Sequence, residues 1–291
     1  MSYNDFLDYD RPYDEATFIL IPAPLELTVS YGKGTSLGPA ALLQSSTQLE
    51  TYDIELDSEA VCSCVHTLEP LEQKGMDAST YMEELKKIVS RCVKDGKIPV
   101  VIGGEHSISY GVFKGIADIK KDFSVLHFDA HLDLRDSYEG SKYSHASVVR
   151  RMREHMEKIK DITAVGIRSV SPEEAAYLKE IKDHKVFYAH QCHVSDIAKK
   201  VSSSISSDSV YITFDVDALD PSIMPSTGTP EPGGLLWYQT LDILRESIKG
   251  KKVIGIDIVE LAPDKVNHYS QFTAAKLLYK MLAYTLVYGK K

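Results

Sequence analysis

The sequence predicts an α/β protein built around a parallel sheet of about eight strands. Short apolar runs rich in β-branched and aromatic residues recur along the 291-residue chain, and amphipathic helical patterns separate most of them. Buried parallel strands have this composition because helices cover both faces of their sheet. Strand–helix alternation is typical of βαβ units, so the strands are expected to run parallel.

The elements can be placed in order along the chain. A first strand is predicted over residues 17–21, and a Gly-rich turn then leads to a helix that opens at Pro39, since proline suits the first helical turn. A short second strand is predicted over residues 61–65. The next helix, 79–93, starts with Ser and Thr, has one apolar face and stops at Gly96. Further strands are predicted over residues 98–102, 124–128, 162–167, 185–189, 210–214 and 253–257.

Composition sets broad limits on the class of protein. No linker or low-complexity break divides the chain, and 43% hydrophobic content suffices for a large core, so one domain over residues 1–291 is expected. The net charge of −9 argues against nucleic acid as a partner and favours cationic small molecules.

Location is predicted from what the chain lacks. Residues 1–15 are acidic and have no apolar stretch of the signal-peptide kind, and no run reaches membrane-spanning length. The four cysteines form no zinc-type pair of pairs and indicate a reducing compartment. A cytoplasmic protein with no membrane partner is therefore expected.

Three predicted strands end in side chains that commonly bind metals. In an open parallel sheet, sites form where the carboxyl ends of strands meet, and residues two apart on extended backbone point to one face. Four carboxylates at such short separation repel one another unless cations lie among them. The sequence therefore predicts a two-metal hydrolytic centre. The candidate ligands are His106 in VVIGGEHS, Asp129, His131 and Asp133 in SVLHFDAHLD, and Asp215 and Asp217 in VYITFDVDALDP.

The donor types indicate which metal is expected. A site rich in oxygen with some imidazole and no thiolate suits manganese, with iron, cobalt, nickel or zinc as alternatives. Two divalent ions about 3.5–4 Å apart would also bridge and deprotonate a water at neutral pH. The competing interpretation is that these acids are solvated loop tips, as most aspartates are. Three such motifs, each behind a strand, favour the metal centre.

The motifs GGEHS, FDAHLDLRD, YSHAS, FDVDALDP and GIDIVELAP occur in this order between about Ile21 and the C-terminus. In combination they are highly specific, and they resemble the ureohydrolase family of arginases and agmatinases, agmatinase most of all. The resemblance implies a three-layer α/β/α domain of the arginase/deacetylase-like type, with a mainly parallel eight-stranded sheet and two Mn²⁺ per chain. It also implies the ligand set: His106 and Asp133 for one ion, His131 and Asp217 for the other, and Asp129 and Asp215 bridging both.

Within that resemblance, Glu260 in GIDIVELAP and His145 in YSHAS are the expected catalytic groups. A carboxylate matches the planar donor fork of a guanidinium, so Glu260 would clamp the substrate. The guanidinium carbon is a poor electrophile and needs a nucleophile at attack distance. Asp133 could hold this nucleophile by a hydrogen bond. His145 would carry a proton to the leaving amine. Outside the family context, His145 would be interpreted as a surface histidine and Glu260 as a strand-end surface acid.

The products would be urea and an amine, and the segment after Asp133 bears on which amine. Arg135 stands where arginases usually carry an asparagine that recognises the α-carboxylate and α-amino groups, and the KYSHA arrangement is similar to agmatinase-like members. Asp136, Glu139 and Glu231 could surround the cleft mouth and attract a distal ammonium, which favours a small cationic guanidino substrate.

Several substrates fit this expectation. Agmatine, giving putrescine in polyamine biosynthesis, is favoured, and N1-aminopropylagmatine, giving spermidine, is an alternative. Arginine or another guanidino acid is a further alternative. Guanidinobutyrate suits the cleft less because its tail is anionic, although an inward-pointing Arg135 would change that.

Two other classes of protein compete with the ureohydrolase. A metal-dependent deacetylase on a related fold typically keeps one ion, whereas His106 and Asp217 here complete two sets of ligands. A non-catalytic metal-binding relative usually loses a ligand or the clamp acid, and none is lost here. The expected assembly is a homotrimer or a homohexamer.

Two short motifs outside this set have simpler interpretations. The HQCH segment at 190–193 could bind a metal, but adjacent ligands on one short stretch rarely complete a coordination shell. Cys62 and Cys64 are expected on one face of the second strand, as small buried residues more than as a redox pair.

Overall fold

A computed structural model describes residues 3–264 and 266–290. Eight strands form one sheet, in which every pairing is parallel. The strands are β1 (Phe18–Ala23), β2 (Val65–Thr67), β3 (Ile98–Gly103), β4 (Phe123–Phe128), β5 (Ile159–Ile167), β6 (His184–Tyr188), β7 (Ser209–Asp215) and β8 (Lys252–Val259). The predicted parallel sheet of eight strands is confirmed.

Helices cover both faces of this sheet. The described residues form α1 (Gly38–Ser46), α2 (Ala78–Lys94), α3 (Ile108–Ala117), α4 (Val148–Arg153), α5 (Pro172–Glu180), α6 (Ile197–Ser204), α7 (Trp237–Ile248) and α8 (Tyr269–Tyr288). Helices α1, α6, α7 and α8 contribute to the core on one face, and α2, α3, α4 and α5 to the core on the other. The result is the expected three-layer α/β/α arrangement.

Alternation along each strand divides its side chains between the two cores. In β7, Val210, Ile212 and Phe214 pack into one core while Tyr211 packs into the other. Each such apolar side chain contributes roughly 1.5–3 kcal/mol when fully buried. Burial on both faces explains why the strands are apolar runs and do not alternate between apolar and polar residues.

The strand order explains where a site can form. The sheet runs β2-β1-β3-β8-β7-β4-β5-β6, so the last two strands of the chain lie between β3 and β4. Consecutive strands β3 and β4 are thereby separated, and the chain changes direction of winding at this point. Ligand sites of open parallel sheets lie at such switch points, beyond the carboxyl ends of the strands.

The second strand begins later than predicted. Residues Ala60–Ser63 form a 3₁₀ turn, and β2 starts at Val65. Val61 and Cys62 are both buried, as adjacent residues of a strand covered on both faces would be, but here they lie on the turn. The expectation that Cys62 and Cys64 share one strand face was therefore wrong.

No helix within residues 3–264 and 266–290 is both long and apolar enough to span a bilayer.

Candidate metal centre and substrate cleft

Four neighbouring strands, β3, β8, β7 and β4, bring chemically active side chains to one edge of the sheet. His106 follows β3, Asp215 ends β7, and Asp129 comes directly after β4. Glu260 directly follows β8, the strand between β3 and β7. The motifs that are far apart in the chain therefore meet at the switch point of the sheet.

The ring of His106 lies at the centre of one group of carboxylates. Its Nδ1 atom is 3.1 Å from Asp129 Oδ2, 3.0 Å from Asp133 Oδ2 and 3.3 Å from Asp215 Oδ2. All four side chains are buried. This buried Nδ1 has no hydrogen-bond partner among the described residues, although three carboxylate oxygens surround it.

His131 organises a second group beside the first. Its Nδ1 atom lies 3.4 Å from Asp129 Oδ1 and 3.1 Å from Asp217 Oδ2. The His131 side chain is 27% exposed, so this group is the more open of the two. Asp129 belongs to both groups, with one oxygen directed to each histidine.

The electrostatics of the cluster favour cations. Burial raises the pKa of Asp215 well above its ordinary value, and the charges of Asp217 and Asp129 raise it further. Burial and the charge of Asp129 also raise the pKa of Asp133. The ionised cluster thus needs positive charge, and the unpartnered His106 Nδ1 faces the carboxylates that would share it. Hard oxygens with two imidazoles fit two divalent ions.

The backbone route to this convergence differs in part from the predicted one. Strand β4 ends at Phe128 and β7 at Asp215, but pairing beyond β4 continues through the Asp129 N–H to Val165 O bond and a parallel bridge between His131 and Ser169. Asp217 lies on the 3₁₀ turn Val216–Ala218, and its N–H donates to Asp215 Oδ1 at 2.8 Å. Asp133 has a left-handed φ of 52°. Turns therefore direct Asp133 and Asp217 to the site, whereas Asp129 and His131 still follow paired backbone, as predicted.

A cleft of about 270 Å³ opens above the cluster. Its walls include Glu260, His145, Arg135, Tyr138, Glu174 and Glu231. Glu260 is buried and has a left-handed φ of 65°. Its Oε1 accepts the His106 N–H at 2.6 Å, and its pKa is raised to about 8, first by burial and then by the nearby Glu105.

His145 is held in the cleft wall by a chain of hydrogen bonds. It starts the 3₁₀ turn His145–Ser147, and its N–H donates to Thr28 Oγ1 at 3.1 Å. The Thr28 hydroxyl donates to Glu105 Oε1 at 2.9 Å, and the His145 Nδ1 lies 3.3 Å from the same hydroxyl. The ring of Tyr138 meets the imidazole edge-on at 5.7 Å. His145 is therefore oriented from two sides.

The acids expected at the cleft mouth separate into two kinds. Glu231 lines the cleft, and its backbone oxygen accepts from Arg168 Nη2 at 2.7 Å. Glu139 is exposed at a tight turn and does not line the cleft. Asp136 is paired with Arg151 at 2.9 Å, so its charge is already matched. Arg135 does line the cleft, with its guanidinium carbon 5.1 Å from the centre of the Tyr138 ring.

Several site residues were not predicted, among them Thr28 and Glu105 beside His145, and His127, Glu174 and Arg168. His127 lies two residues before Asp129 on the same strand face, and its Nε2 is 2.8 Å from Asp129 Oδ2. This i−2 spacing, in an otherwise apolar strand, was an available signal. Glu174 lines the cleft as part of a capping box with Ser171, and the SPEE sequence would have placed a helix start there. Arg168 also donates to the backbone oxygen of Asp217 at 2.7 Å and so joins the ligand loop to the cleft mouth.

Comparisons with known proteins give one consistent result. Residues 16–283 match the sequence profile of the Arginase family. The chain is 37% identical over 279 residues to an N(1)-aminopropylagmatine ureohydrolase of Synechocystis sp., covering 94% of this chain and 90% of that protein. It is 32% identical over 274 residues to an agmatinase of Pyrococcus horikoshii, covering 92% of each chain. The solved agmatine ureohydrolase of Thermoplasma volcanium superimposes with a TM-score of 0.84 at 31% identity, covering 98% of this chain and 94% of the other.

Proposed function

The chain belongs to the arginase family of ureohydrolases, and from that premise we propose that it hydrolyses agmatine or its N1-aminopropyl derivative to urea and an amine. The observation that carries this proposal is the position of Glu260. Its carboxylate lies in the same cleft as the cluster, at the end of the strand between β3 and β7.

Glu260 suits a guanidinium for a physical reason. The His106 N–H holds Oε1, which orients the carboxylate and leaves Oε2 without a donor in the described part of the chain. A buried carboxylate is stabilised by a cation that also donates hydrogen bonds, and a guanidinium does both in one plane. The bound guanidinium would favour the ionised form of Glu260, against the burial that raises its pKa.

The residues of the cluster would hold two Mn²⁺ per chain, with Asp129 shared between them. When bound, two such ions supply a water activated for attack and stabilise negative charge on the reacting centre. The chain itself holds the guanidinium carbon near them through Glu260. His145, oriented by Thr28, would carry the proton that the departing amine requires.

His145→Ala should separate chemistry from metal binding. We expect kcat to fall on the order of 10²–10⁴-fold, because assistance by an acid or base is lost. The metal content should stay unchanged, since His145 is not part of either carboxylate group. Urea release and elemental analysis measure the two quantities. The matched control is His190→Ala, an exposed histidine outside the cleft, which should keep full activity. Wild-type kcat in His145→Ala would remove the shuttle role.

A cationic tail is supported by the charges at the cleft mouth. Glu174 and Glu231 line the walls together with one cation, Arg135, whose guanidinium lies over the Tyr138 ring, and the protein as a whole carries a net charge of −9. Arginine differs from agmatine by a carboxylate. Placing that anion near Glu231 costs about 1 kcal/mol per pair in water and several-fold more in a partly dehydrated cleft, and the positive charge of Arg135 offsets part of this cost.

The aminopropyl derivative is the second candidate, and a separate observation favours it. Three relatives named N(1)-aminopropylagmatine ureohydrolase are 34–37% identical to this chain and a fourth is 31% identical, while three named agmatinase are 31–32% identical. Both substrates present the same guanidinium to Glu260, and they differ in the length of the tail and in the second ammonium that the aminopropyl group adds. A side-by-side assay distinguishes them.

The Mn²⁺-loaded protein should discriminate among guanidino compounds by their tails. We expect kcat/KM for agmatine or aminopropylagmatine to exceed that for arginine by roughly a hundred-fold or more, since each 1.4 kcal/mol is a factor of ten. The assay measures urea release on both, together with arginine, guanidinobutyrate and guanidine. Comparable rates on arginine and agmatine would contradict the proposed specificity.

Neutralising one acid at a time tests the source of that discrimination. Glu231→Gln should narrow the gap between agmatine and arginine, because it removes a negative charge from the cleft wall. Glu139→Gln is the matched control. It changes the same charge at an exposed turn away from the cleft and should leave the gap unchanged.

A further inference from the structure

A layer of buried hydroxyl and carboxyl groups lies in the strands directly before the ligand loops. Thr213 of β7 is the register partner of Asp257 of β8, and both are fully buried. Ser109 of α3 and Tyr211 of β7 complete the group, and they are fully buried as well. These polar groups sit in a sheet whose other inward-facing side chains are mostly apolar, so their arrangement calls for an explanation.

Asp257 fixes the direction of the hydrogen bonds in this layer. Its Oδ1 accepts from the Thr213 hydroxyl at 2.8 Å and from the Ser109 hydroxyl at 2.9 Å, and its Oδ2 accepts from the Tyr211 hydroxyl. Burial raises the pKa of Asp257, while His106 and the three hydroxyl donors favour its ionised form. Since a threonine hydroxyl has one proton, Thr213 donates to Asp257 and keeps only acceptor capacity for its other neighbour.

That other neighbour is a metal ligand of the proposed centre. The Nε2 atom of His106 lies 3.0 Å from Thr213 Oγ1. With Asp257 ionised, the Thr213 hydroxyl donates to it and can only accept from the imidazole, so Nε2 carries the proton. The neutral ring then presents the lone pair of Nδ1 to the group formed by Asp129, Asp133 and Asp215. A ligating histidine is commonly oriented in this way through its second nitrogen.

We infer that Thr213 and Asp257 are positioning residues that hold His106 in the tautomer and orientation needed to bind one of the two ions. The inference rests on the proposed metal centre. It adds two residues that influence metal affinity without binding the metal themselves. The ring of His131 has no corresponding hydrogen-bonded chain among the described residues, and it is more exposed. We therefore expect that loss of the Thr213 hydroxyl weakens the binding of one ion and leaves the binding of the other unchanged.

The test is a Mn²⁺ titration of the metal-free full-length protein, followed by calorimetry or by competition with a chelator. Thr213→Val keeps the shape of the side chain and removes the hydroxyl. We expect it to lower the affinity for one of the two ions by about 10–100-fold. Thr213→Ser restores the hydroxyl and should restore the affinity.

The matched control is Thr163→Val. Thr163 is fully buried in β5, and its hydroxyl lies 2.9 Å from Ser204 Oγ, so the substitution also removes a buried hydroxyl from the sheet. It should leave both affinities at the wild-type value. If Thr213→Val does not fold, Asp257→Asn tests the same chain, because it weakens the acceptor that orients Thr213. The same single ion should then be weakened.

The outcomes distinguish this inference from the proposed function. If the wild-type protein binds fewer than two ions, the metal centre itself is wrong, and this inference falls with it. The wild type could bind two ions while Thr213→Val binds both with wild-type affinity, or with affinities reduced by the same factor. In either case the positioning role is refuted while the ureohydrolase proposal stands. An equal loss in Thr163→Val would attribute the effect to general destabilisation and would also refute it.

Discussion

Glu260→Gln is expected to lower kcat/KM by roughly 30- to 4,000-fold while leaving both metal ions in place. The substitution keeps the size of the side chain and its Oε1, so the hydrogen bond from the His106 N–H can persist. It removes the negative charge that a guanidinium requires and replaces one acceptor with a donor. Losing one partner of a buried charged pair costs about 2–5 kcal/mol, and each 1.4 kcal/mol is a factor of ten.

Urea release and metal content, measured on the same preparation, test this expectation. The loss should appear mainly in kcat/KM, since both binding and orientation of the guanidinium are affected. A Glu260→Gln variant that matched the wild type would show that the substrate is clamped elsewhere. If the variant instead lost its metal, Glu260 would be assigned to metal binding.

Asp129→Ala should be the most damaging of the ligand substitutions. Asp129 lies within 3.1 Å of His106 and 3.4 Å of His131, one oxygen to each. Its removal takes a ligand from both groups at once, so we expect metal content to fall from two ions towards none and activity to be lost. His106→Ala removes a ligand from one group only and should retain more metal. Elemental analysis after dialysis against Mn²⁺ provides the comparison.

Chelation is the complementary test of the same centre. Exhaustive removal of divalent ions from the wild-type protein should abolish urea release, and Mn²⁺ should restore it. Full activity in a demonstrably metal-free preparation would contradict a metal-dependent mechanism. The family resemblance implies that Asp215, like Asp129, bridges both ions, so Asp215→Ala would be expected to lose as much metal as Asp129→Ala. Since Asp215 approaches His106 at 3.3 Å and His131 has its nearest carboxylates in Asp129 and Asp217, its loss should fall more on the first group.

The fold and the ligands could be predicted because they depend on local patterns. Apolar runs that end in Asp or His identify strand ends, and strand ends of a parallel sheet share one edge. His106, Asp129 and Asp215 are therefore expected at one edge, and they meet because β3, β8, β7 and β4 are neighbours in the sheet. The second strand was misplaced because Val61 and Cys62 resemble a strand in composition while a turn buries both.

The rest of the site depends on which strands are neighbours, and no local pattern states that. Thr213 meets Asp257 only because β8 lies beside β7, and His106 meets Thr213 only because helix α3 and its preceding loop lie over the same edge. Glu139 was expected at the cleft mouth from its distance along the chain to Asp133. The turn between Tyr138 and Ser141 instead places it in solvent.

The left-handed backbone at Asp133 and Glu260 has a consequence for engineering. A side chain in that conformation costs about 1–3 kcal/mol, and glycine avoids most of the cost because it lacks a Cβ. At both positions, glycine would relieve the backbone and delete the carboxylate in the same step. A search for heat-resistant variants that scored stability alone would thus be drawn towards inactive proteins at these two positions. Screens on this scaffold should record turnover and melting temperature together.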